Sequence, residues 1–263
     1  MAANLIIAGN QKCGTTALFD MLAEHPEVAV PHDGRKELHF FNEVPRLTRY
    51  NQWKHRRRWA KADRERAPVC LEATPILGYY SAPRTPDCLE LVKQFDPEAR
   101  IILLFRNPVD RAYSQWSMEL KRGNTDLDFE AALQIEEQVE PFHPVHSYRH
   151  RGEYDRIVEN ALRTFDAKQL LFLKTEELLH HPEQVLPRVQ RFAGIEEIAL
   201  EHKESFRGSY DSKMAPETRE KLSAHYAAHN ARFSELTSLD VADWAQPETA
   251  PVSRATREEQ LAF

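Results

Sequence analysis

Three short stretches of this chain carry residues whose types and spacing could do chemistry. The first is Gly9-Asn10-Gln11-Lys12-Cys13-Gly14-Thr15-Thr16, which follows the apolar run Leu5-Ile6-Ile7-Ala8 and opens an apolar-periodic segment from Ala17 to Leu22. Strand, tight loop and helix start in that order make a phosphate cradle, because backbone N–H groups and the positive end of a helix dipole converge there. Gly9 and Gly14 keep the spacing of the nucleotide loop G-x4-G-K-[ST], and Thr16 stands at its hydroxyl position. The lysine position holds Thr15, and the cation is Lys12 instead, unlike an ATPase or kinase loop. The second stretch, Lys36-Glu37-Leu38-His39-Phe40-Phe41, sets a carboxylate and an imidazole two residues apart, on one face if the chain is extended. The third, Arg106-Asn107-Pro108-Val109-Asp110-Arg111-Ala112-Tyr113-Ser114, follows the apolar run from Ile101 to Phe105. Pro108 suits a first helical turn, which puts Arg106 at a strand end and Ser114 about two turns along a helix. An arginine there can hold a phosphate with its planar fork.

Taken together, these stretches resemble sulfotransferases that use 3′-phosphoadenosine 5′-phosphosulfate (PAPS). Lys12-Cys13-Gly14-Thr15-Thr16 looks like the 5′-phosphosulfate loop of that family, Arg106 to Ser114 like its 3′-phosphate segment, and Lys36 to Phe41 like the E-x-H-F-F segment of its carbohydrate branch. The resemblance runs from about Asn4 to about Leu236. It implies PAPS as co-substrate, PAP as product, and Lys12, Cys13, Gly14, Thr15, Thr16, Arg106 and Ser114 as cofactor-binding residues. Lys12 would stabilise the leaving phosphate and Glu37 would take the acceptor's proton. The small-molecule branch uses a histidine, so His39 stays open as the base. Partial burial beside Phe40 and Phe41 would lift Glu37 from its ordinary value near 4.3. Lys36 would pair with Glu37 or touch the donor sulfate.

Glu72-Ala73-Thr74-Pro75 resembles the family's E-K-T-P segment, so Glu72 and Thr74 would face the acceptor. Ala73 replaces a lysine that contacts acidic sugar in heparan-type relatives. Arg207 and Gly208 loosely match a basic loop over the nucleotide, with Lys213 as a substitute charge. Arg111 reads as a structural salt-bridge partner, and Tyr154 and Trp53 as packing residues. Cys13 reads as a small loop filler, although a helix terminus and Lys12 would lower its thiol.

The elements that must position these residues follow from pattern. Strands are expected over 5–8, 69–72, 100–105 and 170–173, with helices over 15–24, 82–95, 109–121, 129–139, 153–165, 182–192 and 216–236. That alternation predicts an α/β domain, 1–239, with a central parallel sheet flanked by helices and a P-loop-like sulfotransferase fold. Residues 240–263 read as a tail that Trp244 could dock. The basic segment from Trp53 to Lys61 reads as a solvated helix face, with attraction of an anionic acceptor as the alternative.

Composition narrows the function classes. The formal net charge of −6 over 263 residues argues against general nucleic-acid binding. With no long apolar run and no signal-like N-terminus, a cytoplasmic enzyme without a membrane segment is expected. Three cysteines make no disulfide or zinc pattern, the histidines look scattered, and no metal is expected. The expected reaction moves a sulfuryl group in line to a hydroxyl of a carbohydrate or small metabolite. Two other readings compete. A P-loop kinase or NTPase needs a lysine beside Thr16 and a carboxylate for magnesium. A non-catalytic nucleotide-binding protein should have lost the loop or the base.

Overall fold

The computed structural model describes residues 3–59, 65–79, 87–139, 143, 145–201 and 214–245. Among these, β1 (Leu5–Gly9), β2 (Val28–Ala29), β3 (Val69–Ala73), β4 (Arg100–Phe105) and β5 (Leu170–Lys174) form one sheet in the order β2-β3-β1-β4-β5. Every neighbouring pair is parallel. The central strands are apolar on both faces because helices cover both. Leu5, Ile7, Ile102 and Leu104 pack with α1 (Thr15–Leu22) and α9 (Pro182–Ala193). The alternating Ile6, Ala8, Ile101, Leu103 and Phe105 pack on the other side with α4 (Cys88–Phe95) and α7 (Tyr154–Thr164). A strand's period of two thus becomes two separate cores.

A third apolar cluster joins α5 (Pro108–Lys121), α6 (Phe129–Glu136) and α10 (Pro216–Thr237) through Val109, Tyr113, Trp116, Phe129 and Tyr226. Gly152 sits under the Tyr226 ring, where an added Cβ would lie 2.7 Å away, so only glycine fits. The expected strands each extend one residue further except β4, and the helices match to within a few residues. The helix expected over 82–95 begins at Cys88, where Asp87 and Glu90 form a capping box; its positions 82–86 lie outside the described residues.

Among the described strands and α-helices, four have no counterpart in the sequence pattern: β2, α2 (Phe40–Glu43), α3 (Arg49–Arg56) and α8 (Thr175–His180). All but α3 are too short to show a period. α3 is polar on nearly every side, and its signal is the Thr48–Asn51 capping box instead. Residues 240–245, read as the start of a tail, pack on the body. Trp244 is buried against Phe233 and Tyr154, Asn107 Nδ2 donates to its carbonyl, and Lys174 Nζ reaches the Asp240 carbonyl and the Asp243 carboxylate, both at 2.7 Å. Among the described residues no helix is long and apolar enough to cross a membrane.

Candidate active site

The strands end together, and the chain places its loops there. β1 runs into the phosphate loop, which is fixed from beneath. Asn10 N donates to the Leu104 carbonyl at 2.9 Å, and the Thr175 hydroxyl lies within hydrogen-bond reach of the carbonyls of Cys13 (2.8 Å) and Phe105 (3.1 Å), sharing its one proton between them. Gly14 is the N-cap of α1 with φ 76°, and a Cβ there would meet Thr175 Cγ2 at 3.3 Å. It makes no side-chain cap, so the amides of the first turn are open to an anion. Thr15 is buried and Thr16 half-buried at this turn.

Lys12 also has positive φ, 69°. Burial, then the nearby Arg106 and Arg122 charges, lowers its ammonium below the usual lysine value. The Arg106 carbonyl accepts from Tyr154 Oη at 2.9 Å, which fixes the strand end, and Ser114 lies two turns into α5. Asn107 caps that helix, accepting from Val109 N at 3.0 Å.

The segment from Lys36 to Phe41 lies against the loop. Lys36 Nζ donates to Thr16 Oγ1 and stands 3.5 Å from Glu37 Oε1, while His39 Nε2 stands 3.4 Å from Glu37 Oε2. One lysine therefore bridges the phosphate-loop hydroxyl and the carboxylate. The expected burial of Glu37 beside Phe40 and Phe41 is not found: its side chain is 39% exposed. The reason is a turn at His39, φ 53°, which starts α2 and sends the two phenylalanines to His55 and Phe95.

Glu72 and Thr74 do not open onto an acceptor surface; both are 0% exposed. Thr74 Oγ1 donates to Glu72 Oε1 at 2.9 Å and accepts from Leu38 N at 3.2 Å, so the pair braces the Lys36–Phe41 segment from behind. Glu72 Oε2 faces His55 Nε2 at 3.5 Å, and His55 stacks on Phe40 with centroids 4.3 Å apart. Desolvation pushes the Glu72 carboxyl up to about 7 and the His55 imidazole down to about 3, in His55's case helped by Arg58 and Arg56. Each is then neutral near pH 6: a carboxylic acid facing an uncharged imidazole.

Other expectations change. The Cys13 thiol is pushed up to about 11, not lowered, because its full burial outweighs Arg111, Tyr154 and Arg106. Arg111 is structural, but its hydrogen-bond partners are the Gln115 amide oxygen and the Tyr148 carbonyl rather than a carboxylate. Tyr154 is core. Trp53 is not; it is 53% exposed, stacked with Tyr50 at 6.2 Å, with Arg57 over its ring at 4.9 Å. Arg207, Gly208 and Lys213 lie outside the described residues. The histidines are not all scattered, since His225 and His229 meet at Glu153. Sequence patterning also passes over Arg151, which is buried, donates to Gln11 Oε1 in the phosphate loop, and lies over the Tyr79 ring at 4.9 Å. Only its place in a Gly-containing turn before a helix marks it.

An all-parallel sheet with an anion loop at its strand ends, and a carboxylate tied to that loop through lysine, suits a nucleotide-dependent group-transfer enzyme. The sulfotransferase domain profile matches residues 3–250. The chain is similar to heparan sulfate glucosamine 3-O-sulfotransferase 6 of Mus musculus, 26% identical over 259 residues, covering 89% of this chain and 72% of that protein. Membrane-associated sulfotransferase kil1 of Dictyostelium discoideum is 32% identical over 145 residues, 52% of this chain and 28% of that one. The crystal structure of a sulfotransferase from Alicyclobacillus acidocaldarius superposes with a TM-score of 0.75 at 27% identity, covering 94% of this chain and 100% of that chain. The chain belongs to the sulfotransferase family and is a PAPS-dependent enzyme of it.

Proposed function

We propose that the enzyme transfers the sulfuryl group of PAPS to a carbohydrate hydroxyl, with Glu37 as general base. The observation that carries this reading is the Lys36 bridge between Thr16 and Glu37, which couples the donor loop to the base. The residues fit a doubly phosphorylated donor. The first-turn amides of α1 and Thr16 hold its 5′-phosphate, Lys12 lies beside them, and Arg106 with Ser114 takes its 3′-phosphate. As the acceptor oxygen bonds to sulfur, Glu37 accepts its proton. The sulfur–oxygen bond to phosphate breaks, and Lys12 neutralises the charge left on PAP.

The carbohydrate assignment rests on the relatives' acceptor and on two exposed, stacked aromatics, Tyr50 and Trp53, on the helix that follows the base segment. Ala73, which stands where heparan-type relatives have a lysine, is fully buried in the sheet core, so this position offers the acceptor no contact. His39, 3.4 Å from Glu37, supports a second reading in which the imidazole is the base. Radiolabelled sulfuryl transfer from PAPS to a panel of neutral and acidic glycans tests the acceptor. Glu37→Gln and His39→Asn, compared for turnover and PAP affinity, test the base. Transfer to small phenols but to no glycan would overturn the carbohydrate assignment.

A further inference from the structure

Far from the base in sequence, a turn and a helix bring together a donor set that the sulfuryl chemistry does not use. Glu153 precedes α7, and His225 and His229 lie four residues apart on one face of α10. Their ligating atoms all fall within 4.8 Å of one another. His225 Nε2 is 3.4 Å from Glu153 Oε1, close to the edge of a tetrahedral zinc shell built on bonds of about 2.0–2.2 Å. The other carboxylate oxygen lies 2.8 Å from Arg156 Nη1 as an ion pair, which leaves Oε1 on the histidine side.

A second observation points to a ligand. Asp155, in the first turn of α7, accepts from His229 Nδ1, its two oxygens at 2.8 and 3.0 Å. With the Nδ1 proton held there, His229 presents the Nε2 lone pair. A carboxylate behind a ligating imidazole is the arrangement that orients metal-bound histidines.

We infer that Glu153, His225 and His229 bind zinc, with Asp155 orienting His229 and a fourth position left to water. Two imidazoles and one carboxylate suit a borderline divalent cation rather than magnesium or calcium. The neighbouring Arg156 charge makes the site weaker than a four-ligand structural one. The metal would staple α10 to the turn ahead of α7. Arg151 reaches Gln11, and Tyr154 reaches the Arg106 carbonyl, from that same turn, so the staple would stiffen one wall of the donor site without touching reacting atoms.

The test uses the full chain, stripped with chelator, dialysed, and titrated with zinc chloride calorimetrically and with cobalt(II) by visible absorption. About one equivalent of saturable binding is expected, with cobalt bands typical of a four-coordinate nitrogen–oxygen site and a higher melting temperature with zinc. His225→Ala with His229→Ala should remove the binding and the thermal shift. Asp155→Asn should weaken it by roughly 10–100-fold. Glu153→Gln gives an independent check should the double variant fold poorly. No saturable binding, or binding unchanged in both the double variant and Glu153→Gln, would overturn the assignment.

Discussion

At the level of single residues, Lys12 is set for an anion. Burial and two guanidinium neighbours push its ammonium towards neutrality, and in the proposed donor complex the negative phosphates would restore the charge. On that proposal, bound donor would raise the Lys12 pKa above that of the free enzyme, and affinity would fall as pH rises through the lowered free value. PAP affinity measured by calorimetry from neutral to alkaline pH should decline below the usual lysine range, and Lys12→Arg should flatten that decline. Lys12→Ala should cut turnover by about 10²–10³, the loss seen when one transition-state donor is removed. Glu37→Gln should leave PAP affinity close to wild type while abolishing transfer; near-normal turnover would move the base to His39. Lys12 and Arg106 could be singled out in the sequence because each sits in a local strand–loop–helix pattern, whereas Glu37 stood out only through its likeness to a family segment, since β2 and α2 on either side of it show no pattern. Arg151 could not, because it reaches Gln11 from 140 residues along the chain.

At the level of elements, the segment from Lys36 to Phe41 is backed by a buried acid–imidazole pair. The folded Glu72 pKa, about 7, lies above its ordinary 4.5, so the native state keeps the extra proton and this group's contribution falls as pH rises between those values. The folded His55 pKa, about 3, lies below its ordinary 6.5, so its contribution is present above 6.5 and is lost as pH falls towards 3. Between 4.5 and 6.5 the two slopes oppose each other, and the pair leaves stability nearly level. Glu72→Gln should expose the His55 slope, with stability rising by up to about 1.4 kcal/mol per pH unit across that window relative to wild type. His55→Phe, which keeps the stack on Phe40, should expose the opposite slope. Urea unfolding at several pH values checks both. Gly14→Ala is expected to cost about 1–2 kcal/mol, because alanine is forced into the left-handed region against Thr175, and to weaken PAP binding with it. The Glu72–His55 contact was hidden in the sequence for a simple reason: His55 reads as one member of a basic run, and only the curl of α3 buries it while leaving Lys54 and Arg56 in solvent.

For the whole molecule, the alternation of apolar runs with helical periods was enough to foresee a parallel sheet with helices on both faces. It could not give the strand order β2-β3-β1-β4-β5, which depends on which crossover goes to which side. The segment around Trp244 looked like tail because its packing is non-local: one large ring against Phe233 and Tyr154, with Lys174 and Asn107 holding the backbone. Trp244→Ala should therefore destabilise the whole domain by about 3–5 kcal/mol, as a core truncation does, in thermal or denaturant unfolding. A loss below 1 kcal/mol would mean that the segment is dispensable. The central claim is that this fold presents a site for a 3′,5′-bisphosphorylated nucleotide and that Lys12, with Arg106, is what reads it. Calorimetric titration with PAP, ADP and ATP in the presence of EDTA tests it most directly. The account predicts tight binding of PAP without divalent metal, and large losses for ADP, which lacks the 3′-phosphate, and for Arg106→Ala. Preference for ATP with a requirement for magnesium would contradict it.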